Sequence, residues 1–235
     1  MGDIYAHGSA EPVTLRGCKM SDAEKLKDAL DMYGEYKDAK FKHVTDTPAD
    51  SLLVRLESDS GERPLVIVDV RSAEEIAVSS IKDSLSEAEF DQWIQDRRRR
   101  MHESGEVPEE TDIIAYCTIG YRSGLFCKKW QDRLGKEEYK SLNLREISNL
   151  EGGIVVLSHH YQSSDKSPGV LQFRDEEEPA IHCYNIAKWG KVPSAYQAVD
   201  FHSEGSAWMP SLLRTSTMAV AGLAILMGLY RLRRR

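Results

Sequence analysis

Cysteine is scarce in this chain and never paired in sequence: Cys18, Cys117, Cys127 and Cys183 form no Cys-x-x-Cys pair and follow no zinc-ligand spacing. A disulfide framework is therefore disfavoured, and free thiols in a reducing compartment are expected. His159, His160 and His182 add no ligand spacing, so neither a metal nor another cofactor is expected. The N-terminus lacks an apolar core and carries Asp3, which argues against both a signal peptide and a transit peptide. No internal repeat is visible. A basic excess is also missing. The formal net charge is −7, and from residue 210 onward there are five arginines and no acids, which leaves 26 basic against 38 acidic residues, or −12, for the rest. An acidic body of this kind is expected to bind no nucleic acid.

Long apolar runs are absent until the end of the chain. There, residues 215–230 are uncharged and mostly apolar between Arg214 and Arg231. As a helix these 16 residues span about 24 Å, short of a hydrocarbon core of about 30 Å. Snorkelling of the flanking arginines closes the gap. A single C-terminal transmembrane helix with a basic tail is expected. It would be inserted after synthesis, with the body facing the cytosol at an organelle outer membrane (mitochondrial, peroxisomal or plastid).

The rest divides into an N-terminal extension with a helix (1–40), an α/β domain (41–160), a polar and aromatic extension (161–209) and the anchor (210–235). Ser21-Asp22-Ala23-Glu24 reads as a helix start, with a break near Gly34. Strands are expected at residues 41–44, 65–70, 113–116 and 139–144, and helices at 47–57, 87–101, 123–135 and from 154. Alternation of the two indicates a parallel sheet. The polar stretch 163–179 is expected to lead out of the domain, its closing acidic run 175–178 to be a solvated face or loop, and residues 181–190 to pack back on the body.

Most of the chemistry is concentrated in Cys117-Thr118-Ile119-Gly120-Tyr121-Arg122-Ser123. An apolar strand delivers the cysteine into a tight loop that opens a helix. Inward amide groups, the helix N-terminus and Arg122 all favour a thiolate, the nucleophilic form. Cys127, about three turns further on, is expected to pack in the core.

Leu65-Val66-Ile67-Val68-Asp69-Val70-Arg71-Ser72 with Glu75, the loop Cys117-x-x-Gly120-x-Arg122-Ser123, and Asn149-Leu150-Glu151-Gly152-Gly153-Ile154 together resemble the rhodanese homology domain. The resemblance implies a three-layer α/β sandwich with a central parallel sheet, here with an N-terminal helical extension and the C-terminal anchor. It further implies a sulfurtransferase in which Cys117 carries sulfur as a persulfide between a small donor and a thiol acceptor. Residues 118–123 would cradle that sulfur, while Asp69 and Arg71 fix the strand end. The chain departs from the family at Ser79-Ser80, where many rhodaneses have Gly-His. Two alternatives stand beside this reading. One is a non-catalytic or redox-sensing interaction module. The other is a phosphatase or arsenate reductase, whose loops place five residues between cysteine and arginine where this one has four.

Overall fold

The computed structural model describes residues 20–58, 63–105, 107–163 and 169–201. The chain opens with α1 (Asp22–Lys40), closed at its start by a reciprocal Ser21/Glu24 capping box. Short strand β1 (Asp46–Thr47) and α2 (Ala49–Glu57) follow, then β2 (Leu65–Asp69), α3 (Ala73–Ile76), β3 (Ser79–Ile81) and β4 (Leu85–Ser86). Next come α4 (Glu87–Ser104), β5 (Thr111–Tyr116), α5 (Tyr121–Leu134), α6 (Glu137–Lys140), β6 (Leu144–Leu150) and α7 (Gly153–Ser163). The last described elements are β7 (Leu171–Phe173), β8 (Ala180–His182), α8 (Ile186–Trp189) and β9 (Gln197–Val199).

Five strands form a parallel sheet in the order β1-β6-β5-β2-β4. The apolar runs 65–68 of β2 and 113–116 of β5 follow from burial on both faces. Along β5 the side chains alternate between two cores: Ile114 and Tyr116 join α2 and α7, while Ile113 and Ala115 join Phe90 and Ile94 of α4 and Phe126 and Trp130 of α5. Helix α1 bridges the two, sending Ala29 into the first core and Tyr33 into the second. The expected parallel α/β sandwich with an N-terminal helix is therefore present.

Several local expectations need correction. Helix α1 runs unbroken through Gly34, because one glycine costs about 1 kcal/mol and does not end a capped, tertiary-packed helix. Residues 41–44 are not a strand; Phe41 caps α1, and the edge strand begins at Asp46. Residues 139–144 do not form a strand either. Glu137–Lys140 is a helical turn, Asn143 takes a left-handed φ of 51°, and the strand starts at Leu144. The polar stretch after residue 163 does not lead away: β7 returns antiparallel to β3, pairing Leu171 with Ile81 and Phe173 with Ser79. Strands β8 and β9 then pair in parallel, and Ile181 and Cys183 are fully buried. The segment 181–190 packs on the body as expected. Among the described residues no helix is long and apolar enough to cross a membrane. The anchor expected at 210–235 lies outside the described residues, as does Cys18.

Candidate active site

The site stands at the C-terminal end of β5, beside the middle of the sheet, where parallel sheets present their loops. Tyr116 closes the strand, Cys117 is only 1% exposed, and Gly120 serves as N-cap of α5. Gly120 has a φ of 84°, and a Cβ there would lie 2.6 Å from the Tyr33 ring. No side chain fits the turn.

The loop is held from outside by its carbonyl groups. Ile154 and Val155, at the start of α7, donate backbone N–H groups to Cys117 O at 2.9 Å and Thr118 O at 3.1 Å. Gly153 (φ 61°) allows this approach, since a Cβ would meet Cys117 O at 2.3 Å. Gly120 O accepts from Gly124 N–H at 3.0 Å and from Asn149 Nδ2 at 2.9 Å. Asn149 Nδ2 also donates to Tyr33 Oη, and that hydroxyl donates to Asp46. With its carbonyls engaged in this way, the backbone N–H groups from Thr118 to Ser123 have no protein acceptor among the described residues. The Ser123 hydroxyl is fully buried and is likewise without a partner. Unused donors at the N-terminus of a 14-residue helix make a nest for an anion.

Arg122 lies across this loop in a two-pronged pair with Glu75, Nη1 to Oε2 at 2.7 Å and Nη2 to Oε1 at 2.6 Å. Thr118 Oγ1 donates to Glu75 Oε1 at 3.1 Å and accepts from Arg122 Nη2 at 3.2 Å. Glu75 is fully buried and also closes the capping box of α3. Burial pushes its carboxyl upward, but the hydrogen bonds from Arg122 and from the Ser72 amide outweigh this and hold it below the usual carboxylate range. Deeper in the protein, Arg71 donates through Nε and Nη2 to Asp69 at 2.9 and 2.7 Å, and through Nη2 to Ser79 O at 2.6 Å. The Arg71 guanidinium also lies over the Tyr116 ring, 5.4 Å from its centroid. Asp69 and Arg71 thus tie the end of β2 to β3 and to the residue before the cysteine.

Of the residues singled out in the sequence, Cys117, Thr118, Gly120, Arg122 and Ser123 form this constellation. Ile119 turns into the apolar core, and Tyr121 packs against Tyr36 with ring centroids 5.0 Å apart and the rings tilted by 55°. Cys127 is buried with Sγ 3.2 Å from Ser148 O, and burial pushes its thiol up. Three supporting groups had no assigned role: Glu75, Asn149 and Tyr33. Glu75 carries a readable signal in its capping box with Ser72; Tyr33 carries none.

A buried cysteine that directly follows the middle strand of a five-stranded parallel sheet and leads into a helix defines a class of small α/β domains by its fold and loop. Residues 52–160 match the family model of the rhodanese-like domain, and the chain carries such a domain. No curated protein matches the chain significantly. Among solved structures, it is similar to a Rhodopseudomonas palustris protein of unknown function described as a possible tyrosine phosphatase, with 20% identity over 64% of this chain and 100% of that one and a TM-score of 0.37. A Saccharomyces cerevisiae homolog of single-domain rhodanese and the Cdc25 phosphatase catalytic domain shows 14% identity over 56% and 89% of the two chains, with a TM-score of 0.39. A rhodanese-like domain protein of Staphylococcus aureus shows 18% identity over 48% and 90%, with a TM-score of 0.32. Likenesses of this size carry no argument about activity.

Proposed function

We propose that this protein is a sulfurtransferase that carries sulfane sulfur on Cys117, taken from thiosulfate or a low-molecular persulfide and passed to a thiol. The observation that supports it best is the set of donors without partners among the described residues, the Thr118–Ser123 amides and the Ser123 hydroxyl, gathered beside a buried cysteine. In the first half-reaction the Cys117 thiolate attacks the outer sulfur of thiosulfate. The new S–S bond forms as the old one breaks, and its electron pair departs with sulfite. The product, Cys117–S–S⁻, keeps one negative charge, which the loop amides receive. In the second, an acceptor thiolate attacks that outer sulfur, the S–S bond to Cys117 breaks, and the thiolate is regenerated. No oxidant is consumed, and no step needs a metal. The Glu75–Arg122–Thr118 cluster keeps the loop in shape, and Asp69 with Arg71 fixes the strand end. A loop with four residues between cysteine and arginine encloses less space than the five-residue phosphatase loop, which favours a sulfur atom over a tetrahedral phosphate.

Treating the full chain with thiosulfate and measuring intact mass tests this directly. A gain of about 32 Da, one sulfur atom, is expected on Cys117 and is expected to be absent in Cys117→Ser. Aryl-phosphate hydrolysis abolished in Cys117→Ser, with no sulfur adduct in the wild type, would favour the phosphatase reading instead. An intact loop with neither activity would favour an interaction module. We also propose attachment to a membrane through the apolar run at residues 215–230. A fluorescent fusion of residues 205–235 tests it: a diffuse signal defeats the anchor, and an organelle rim supports it.

A further inference from the structure

Two guanidinium groups beside the loop are already paired with carboxylates, although the buried Arg71 Nη1 has no partner among the described residues. Arg122 is paired through both terminal nitrogens with Glu75, and Arg71 with Asp69. Neither has a net charge to offer to an approaching anion, although the chain as a whole, at −7, repels one. The parts of the chain outside residues 52–160 supply another. From Tyr121 of the loop the contacts run to the Tyr36 ring of α1 (centroids 5.0 Å), on to Lys188 Nζ of α8 (5.6 Å from the Tyr36 centroid) and to Trp189 (5.4 Å from Nζ). They continue to Tyr184 (centroids 5.4 Å) and return to the Arg122 guanidinium, 5.5 Å from the Tyr184 centroid. This closed circuit joins both extensions to the first turn of α5. Lys188 is exposed, and among the described residues it has no carboxylate partner. Aromatic faces hold a cation in place without cancelling its charge. Tyr184 is kept in the left-handed region at φ 60°, with its N–H donated to His182 Nδ1 at 3.1 Å. Such backbone strain persists only where surrounding contacts fix it.

We infer that the two extensions build the rim of the sulfur site, and that Lys188, rather than Arg122, is the specificity-determining cation that draws the anionic sulfur donor to Cys117. The inference rests on the sulfur-carrier reading above and adds the charge of the donor and the residue that selects it. The test follows modification of Cys117 by intact mass against time in the full chain. Thiosulfate, the anionic donor, adds one sulfur atom and releases sulfite; a neutral dialkyl trisulfide, the control, adds an alkylthio group as its S–S bond breaks and an alkyl persulfide anion leaves. Lys188→Met keeps a flexible apolar stem over the two rings while removing the charge. With thiosulfate at low ionic strength it is expected to slow uptake about fivefold, and the difference is expected to vanish towards about 1 M salt. Lys188→Arg is expected to restore the rate, and the trisulfide is expected to show no such drop. Equal rates and equal salt dependence for wild type and Lys188→Met with thiosulfate would overturn the role of Lys188. So would an equal loss with both donors, since that marks a structural defect. A wild-type chain that takes sulfur from no donor removes the underlying sulfur-carrier reading, and the rim with it.

Discussion

Glu75 bears more on the loop than its place in a short helix suggests. It is a buried carboxylate whose negative charge is met by Arg122, and whose other contacts are Thr118 and the start of α3. Glu75→Gln keeps the shape and leaves the guanidinium unpaired. Because Arg122 retains a third of its side-chain exposure, the loss is set below that of a fully buried pair, at roughly 2–3 kcal/mol of stability. The shift in denaturant midpoint measures it. Gly153→Ala is expected to be harsher, at least about 3 kcal/mol with loss of sulfur uptake, because the new Cβ meets Cys117 O and the backbone cannot relax from φ 61°. Protonation adds a third residue-scale expectation. Burial pushes the imidazoles of His159 and His182 down in the folded chain, so the unfolded chain binds protons first as pH falls below about 6.5. Stability is full above that value and declines from there towards the lowered folded-state values. Melting temperature is therefore expected to drop between about pH 7.5 and 5.5. His182→Gln, which keeps an acceptor for the Tyr184 amide, is expected to flatten part of that slope.

Among the elements, those that read plainly in sequence are the ones whose burial is unmixed. Residues 65–68 and 113–116 are unbroken apolar runs because both faces of the sheet are covered there, and Cys117 follows from the strand-to-helix junction. Strand β6 hides its start because Arg145 and Glu146 are exposed while Ile147–Leu150 are buried. Strands β7 to β9 have three residues each, too short for any period to show. Helix α1 was recognisable as a helix but not as a brace, since only Ala29 and Tyr33 of its 19 residues are buried. Its link to the loop, Tyr33 to Asn149 to Gly120, is a tertiary relation whose first step joins residues 116 positions apart and whose second joins residues 29 apart. Tyr33→Phe removes the hydroxyl that accepts from Asn149 and donates to Asp46, and is expected to cost about 1–2 kcal/mol, read as a lowered unfolding midpoint.

Over the whole molecule, the domain is not confined to the stretch between its recognisable motifs. Ile181 and Cys183 belong to the same core as Leu52 and Ile154, and the Cys183 thiol is pushed up to about 12 by burial. A chain ending at residue 163 is expected to expose that core, to lose the partner of β3, and to bind a hydrophobic dye without a cooperative melt. The family departure at Ser79-Ser80 finds a structural setting here. The pair sits in β3, matched to Phe173 and Gln172 of a returning strand. That strand lies outside the residues that carry the family resemblance.

The two extensions also hold each other. Ser194 donates through its amide and hydroxyl to Asp22 at 2.9 and 2.7 Å, and Lys191 pairs with Asp28 at 2.8 Å. A chain emerging from a ribosome therefore presents its cysteine loop well before the segment that borders it exists. During that interval the loop residues lack both the rim and the core partners Ile181 and Cys183, so the thiol is expected to meet oxidants or foreign sulfur without selection. Chain order is thus expected to leave a brief window of chemical vulnerability, closed once Lys191 and Ser194 reach the first helix.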